Sequence, residues 1–374
     1  MSRRWQKQLK NKMAGAAKSY SRQKYALSII DIIYSIALIL IFLGSGLSLS
    51  LEVFLKSSGL PKYLLSPVFF LAISLLYYLL NLPFNFYSSF ILEHRFNLTK
   101  QKIGAWQLDQ LKGAVLAYTI SLILILTFYW VLGRFNQWWL VISAFWIIFS
   151  IVLAKLTPIL IIPLFFKYKK LEDEILRQRI LNLAAKMGVV ILDVFEIDLS
   201  KKTLKANAAF TGLGKTRRVL LADTLKDKYS HDEIEVILAH EFAHYRLGHI
   251  LKLIAVNSLV TLGLFYLIFR TSGNALSIFK LNSLIQLAGL PLIFLYFILF
   301  GIIMQPLEAF VSRFFEREAD DLALKITCAK EAFISLMEKL AEQNLADRNP
   351  HPLIKFFFFD HPPIDERIRM AKDR

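Results

Sequence analysis

The sequence predicts a mainly α, polytopic membrane protein with a small α+β domain inserted between its fourth and fifth spans. Three observations predict it. Hydrophobic residues make up 56% of the 374, including 31 phenylalanines, against roughly 45–50% in an average soluble domain. Six stretches reach the length of about 20 mostly apolar residues that a bilayer crossing needs. Only residues 171–249 form a long polar block between such stretches.

The composition also excludes other classes. A soluble protein this apolar would expose large greasy patches, and a disordered chain needs the opposite bias. The single cysteine, Cys328, excludes an internal disulfide and any Cys-rich zinc module. The net charge of +16 accompanies high hydrophobicity, so it is assigned to the cytoplasmic side of a membrane protein and not to a nucleic-acid partner.

The elements follow in order. Residues 1–24 carry eight Lys and Arg and do not read as a secretory signal, because the basic stretch is long and no small-residue cleavage site follows. Trp5, Leu9 and Met13 at i, i+4 and i+8 fit an amphipathic surface helix; a solvated basic tail fits equally well. The spans are Ala26–Leu49, Leu64–Leu92, Leu111–Leu132, Trp138–Phe166, Ile250–Phe269 and Leu284–Gln305. Asp31 falls at headgroup level. Trp130, Trp138 and Trp139 read as interfacial aromatics. Pro158 and Pro163 predict a kink or early end in span four. Glu93 and Asp109 fall near a link and read as solvated, or paired with Lys100 or Lys112.

Lys and Arg alternate between rich and poor links. The segment from Lys167 to Arg246 has fifteen, whereas the link after span one has only Lys56 and Lys62. Both termini and the polar block are thereby placed in the cytoplasm.

Within the polar block, Leu171–Met187 has the period of an amphipathic helix and Val189–Ile197 is a β-type run. Asn207–Thr211 and Arg217–Leu221, joined through Gly212 and Gly214, predict a hairpin. Ser230 and Glu233 form a capping box that opens a helix through Tyr245. From Ala309 the chain is again helical and charged.

That helix contains His240-Glu241-Phe242-Ala243-His244. At about 100° per residue, i and i+4 differ by about 40°, so both imidazoles project from one face. They can bind one Zn²⁺, with Glu241 beside them to take a proton from water that the metal activates. A catalytic zinc needs a third protein ligand and an open position. The best candidate is Glu316, on the charged helix after span six; spacing alone does not separate it from an ordinary helix surface. Asp320, four residues on, shares its face and can accept the free N–H of a ligand histidine. Glu318 points elsewhere and reads as solvated, His249 as an interfacial helix-end residue, and Cys328 as a buried small side chain.

These residues resemble the type I CAAX prenyl protease family of membrane-embedded zinc endopeptidases. His240–His244 with Gly248-His249 is similar to the family's zinc helix, and Phe315–Asp320 to its third-ligand segment, which implies Glu316 as ligand and Asp320 behind a ligand. Lys205–Gly212 resembles the strand that lies along the substrate, implying backbone contacts from Asn207 and Ala208. His361–Arg367, in the sequence HPPIDER, resembles the C-terminal motif, implying His361 and Arg367 as donors to the oxyanion. Tyr87–Glu93 and Ile161–Phe165 are weaker matches. The resemblance implies a ring of about six or seven transmembrane helices around a water-filled chamber.

The division expected is residues 1–166 as a four-span membrane domain, 167–249 as the zinc-peptidase insert, 250–308 as two further spans, and 309–374 as a C-terminal helical part. The expected activity is zinc-dependent hydrolysis of peptides or proteins, prenylated by resemblance, at the cytoplasmic face of the bilayer. A prokaryotic inner membrane is favoured by the lack of recognisable organelle signals, with the endoplasmic reticulum as the eukaryotic counterpart. The alternatives are a quality-control peptidase with no prenyl requirement and a non-catalytic transporter or pseudoprotease holding a structural metal. The sequence leaves the oligomeric state open.

Overall fold

The structure is a computed structural model that describes residues 3–212, 217–226 and 228–374, with side chains from residue 15 onward. The chain begins in one long helix, α1 (Arg3–Gly44). The faces taken by Trp5, Leu9 and Met13 therefore lie outside the described side chains. Gly46, at φ +76°, turns the chain into α2 (Leu47–Ser57), which is too short to cross a bilayer. Span one thus ends before Leu49, at the glycine pair.

Helix α3 (Lys62–Phe86) continues through a π-helical turn, Tyr87–Ile91, into α4 (Leu92–Arg95). α5 (Ile103–Leu132) and α6 (Trp138–Leu156) follow, and α6 passes through a second π turn, Thr157–Ile161, into α7 (Ile162–Phe165). The π turns sit at or just after Pro83 and Pro158, where a missing N–H loosens the ladder. Span four therefore bulges and carries on to Phe165.

The polar block folds as β1 (Tyr168–Lys170), α8 (Glu174–Lys186), β2 (Val194–Ile197), β3 (Ala208–Thr211), β4 (Arg218–Ala222), α9 (Asp223–Lys226) and α10 (His231–Arg246). Then come α11 (His249–Ile278), α12 (Leu290–Thr327), α13 (Lys330–Gln343), α14 (Pro352–Phe358) and α15 (Ile364–Lys372). Among the described residues, six helical stretches are long and apolar enough to cross a membrane.

The sheet order is β1-β2-β4-β3, with β2 parallel to β4 and the outer pairs antiparallel. The hairpin holds, with Ala208 opposite Leu221 and Thr211 opposite Arg218. Residues 213–216 of its connection lie outside the described residues. β3 is an edge strand, so one side of its backbone is open to a further strand.

Two large hydrophobic cores organise the chain. One joins α8, the sheet, α10, the end of α12, α13 and α15. The segments 167–249 and 309–374 therefore share a single interior. The other gathers residues from all six spans and from α2, among them Leu43, Leu55, Phe69, Phe128, Ile142, Phe265 and Leu292. α12 belongs to both; its 38 residues extend about 57 Å at 1.5 Å per residue. One continuous helix, with Pro306 in its interior, thus links the membrane core to the polar core.

Several side chains depart from expectation. Trp138, expected as an interfacial aromatic, packs its ring inside the protein against Phe128 and Phe269. Glu93 is buried and bonded by Tyr20 Oη at 2.6 Å, with Lys24 and Lys205 at 3.1 and 3.0 Å. Asp109 pairs with Lys202 at 2.8 Å. The lysine partners of these acids come from distant segments, which a reading of local links cannot anticipate. Cys328 ends α12 in a left-handed conformation and is exposed.

Candidate metal centre

The centre is built where α10 packs along α12. α10 is started by Ser230, whose Oγ accepts the Glu233 N–H at 3.3 Å while the Glu233 carboxylate accepts the Ser230 N–H at 2.8 Å. Ser335 and Lys339 of α13 hold the same buried carboxylate at 2.6 and 2.7 Å. Ile234, Leu238, Ala239, Phe242 and Ala243 anchor the helix in the polar core. That fixes its rotation and turns His240 and His244 towards α12.

Glu316 meets them there. Its two carboxylate oxygens lie 3.2 Å from His240 Nε2 and 3.2 Å from His244 Nε2. The two Nε2 atoms are 3.1 Å apart, and one ligand atom from each residue falls within 4.8 Å of the others. Glu316 is buried, yet among the described residues its Oε2 takes no hydrogen bond. Three lone-pair atoms converging with one of them unbonded is the arrangement a divalent cation satisfies. The residues fit a metal.

His240 is held from behind. Its Nδ1 donates to Asp320 Oδ1 at 2.8 Å, which leaves Nε2 with the lone pair. Asp320 is fully buried and receives Arg367 Nε and Nη2 at 2.7 and 2.5 Å. Burial alone would push His240 down; Asp320 and Glu316 overturn this and hold its pKa up at about 10.

A cavity of about 220 Å³ opens beside the centre, lined by Asn207, Ala208, His240, Glu241, His361 and Arg367 among others. His361 lies half-exposed with Nε2 3.3 Å from Glu316 Oε2 and Nδ1 2.8 Å from Asp360. Burial pushes its pKa down, but Asp360 and Glu316 together raise it. Seven of the nine candidate site residues line this cavity, and His244 and Glu316 adjoin it through His240. Arg367 has its guanidinium on Asp320, a partner that the resemblance did not imply.

Sequence reasoning missed three groups. His249 is fully buried and touches His244, where an interfacial position was expected. Glu318 pairs with His249 at 3.2 Å and is not simply solvated. Asn344 accepts the Ala206 N–H at 2.9 Å and so fixes the entry to β3. The only signal for the first pair is Gly248 before His249; for Asn344 there is none.

The chain resembles known proteins along nearly its whole length. Residues 2–167 match the N-terminal domain of CAAX prenyl proteases, described with five membrane helices, and residues 170–374 match peptidase family M48. A metalloprotease of Bacillus subtilis named YhfN, described as uncharacterized, is 31% identical over 95% of this chain and 84% of its own length. CAAX prenyl protease 1 of Saccharomyces cerevisiae is 31% identical over 94% of this chain and 84% of its own length. The crystal structure of S. mikatae Ste24p superposes with a TM-score of 0.87 at 28% identity, covering 97% of this chain and 89% of that one. This chain is a multi-pass membrane metallopeptidase acting on peptide or protein substrates, and it belongs to peptidase family M48, in its CAAX prenyl protease branch.

Proposed function

We propose that the chain is a zinc-dependent endopeptidase, with His240, His244 and Glu316 as ligands and Glu241 as general base. The convergence of those three ligands beside a cavity that Glu241 lines is the observation that carries the reading. Two imidazoles and one carboxylate, with a position left open, are a donor set suited to catalytic zinc. The bound ion would supply a Lewis acid and lower the pKa of nearby water.

The chain's own residues do the rest. Glu241 takes the proton of the attacking water and passes it to the leaving amine. The open edge of β3 pairs with an extended substrate, and Asn207 and Ala208 at the cavity fix its register. His361 is the leading donor to the developing oxyanion, since Arg367 commits Nε and Nη2 to Asp320. Segments 167–249 and 309–374 act as one catalytic unit because they share a core. The Lys and Arg distribution supports a cytoplasmic site.

Likeness to CAAX prenyl proteases supports prenylated substrates. The test is a peptide assay with prenylated and plain substrates, with and without a chelator. Faster cleavage of the prenylated peptide is expected; equal rates would favour quality control, and no chelator-sensitive activity would favour a non-catalytic protein. Glu241→Gln should retain the metal and lose about 10²–10⁴-fold in turnover; undiminished turnover would remove Glu241 as base.

A further inference from the structure

The two histidines of the centre are not supported alike. His240 has a carboxylate directly behind it. Behind His244 stands another imidazole: His249 Nδ1 lies 3.0 Å from His244 Nδ1, and His249 Nε2 lies 3.2 Å from Glu318 Oε2. We propose that His249 is a positioning residue, which with Glu318 sets the tautomer of His244 and so aims its Nε2 lone pair at the metal. The inference rests on the zinc reading of the same centre.

The argument is a hydrogen count. A neutral imidazole has one N–H and one lone pair, and an ionised carboxylate only accepts. Glu318 therefore takes the His249 Nε2–H. His249 Nδ1 is left with its lone pair, so His244 Nδ1 must supply the hydrogen between the two rings. His244 Nε2 is then bare, 3.2 Å from Glu316 Oε1 and 3.1 Å from His240 Nε2. The reverse order would set the lone pair of His249 Nε2 against a carboxylate oxygen. In the chosen order the lone pair that faces Glu316 Oε1 is the one a metal ion takes up, so Glu318 and the metal together set the direction of the chain.

The fold holds His249 for this task. Gly248, at φ +70°, breaks the path between α10 and α11 and returns the next residue towards His244. The His249 ring is fully buried and stacks on Phe315, with centroids 4.5 Å apart at 15°. Phe315 precedes the ligand Glu316 on α12, and Glu318 follows it. His249 therefore references His244 to the same helix that carries the third ligand.

The test is the zinc dissociation constant of the purified full-length protein in detergent, by chelator competition, with the absorption spectrum of the Co²⁺-substituted protein as a second readout. His249→Ala should weaken zinc binding about 10–100-fold and alter the Co²⁺ bands. His249→Asn, whose Oδ1 can accept from His244 Nδ1, should restore affinity to within about threefold of wild type. Glu318→Ala, at a half-exposed position that tolerates truncation, should weaken binding at least about threefold. Wild-type affinity in His249→Ala, or a loss in His249→Asn as large as in His249→Ala, would overturn the proposal. If His249→Ala does not fold, wild-type affinity and spectrum in Glu318→Ala would overturn it. Absence of zinc binding by the wild-type protein would instead defeat the zinc reading itself.

Discussion

Replacing Arg367 by leucine should be among the most costly single changes in the polar core. Arg367 Nε and Nη2 grip both oxygens of Asp320, and Asp320 is fully buried with His240 Nδ1, among the described residues, as its only other side-chain partner. Removing one member of a buried pair leaves an uncompensated charge and costs about 3–5 kcal/mol, or roughly a 150-fold shift in the folding equilibrium at the lower bound. Asp320 can escape part of this by taking up a proton, but a neutral acid holds the His240 tautomer less firmly. Zinc affinity should then fall about 10–100-fold as well. The assay is urea titration in detergent with a protease pulse reporting the folded fraction, run as a double-mutant cycle. Arg367→Leu should be severely destabilised, and Arg367→Leu with Asp320→Asn should recover at least about 1 kcal/mol, because the stranded charge is gone. A single-variant cost under about 1 kcal/mol, the size of an exposed ion pair, would refute the reasoning. So would a double variant no better than Arg367→Leu.

Two further outcomes are expected. Arg177 leads the groups that hold Asp193 down at about 2. A depressed carboxyl contributes stability above its unfolded pKa of about 3.9 and loses it as pH falls through the folded value. Asp193→Asn should thus cost about 1–2 kcal/mol at pH 7, with the difference from wild type shrinking between about pH 4 and 2; a pH-independent gap in the urea midpoint would contradict this. Gly248→Ala puts a side chain at φ +70° and should destabilise by about 1–2 kcal/mol, whereas Gly273→Ala, mid-helix with nothing within 4 Å of an added Cβ, should be neutral or stabilising. Equal thermal midpoints for the two variants would count against a strained break before His249.

Much of this fold was legible because its determinants are local. Span lengths depend on runs of apolar residues, the hairpin on Gly212 and Gly214, and the start of α10 on Ser230 and Glu233, three positions apart. The histidine pair of the proposed centre stood out for the same reason, since His240 and His244 are one helical turn apart. Glu316 was not separable by spacing alone, because its place opposite α10 follows from packing between segments 76 residues apart (316 − 240). The same holds for Arg367 on Asp320, for Asn344 at the entry to β3, and for Glu93 beneath Tyr20 and Lys205. Glu318 looked solvated because an i+2 residue leaves the ligand face of its helix. What it meets there, His249, is placed by a glycine turn whose direction no periodicity reports. β1 was missed because three residues, Tyr168–Lys170, carry no alternation to read.

The central claim is that His240, His244 and Glu316 together bind one ion. Metal analysis of the purified protein and of Glu316→Ala, both equilibrated in the same chelator buffer, tests it most directly. The account predicts one zinc per chain in the wild-type protein and loss of it in Glu316→Ala at a chelator concentration the wild type withstands. A wild-type protein that holds no metal, or a Glu316→Ala variant that retains zinc as tightly, would contradict it.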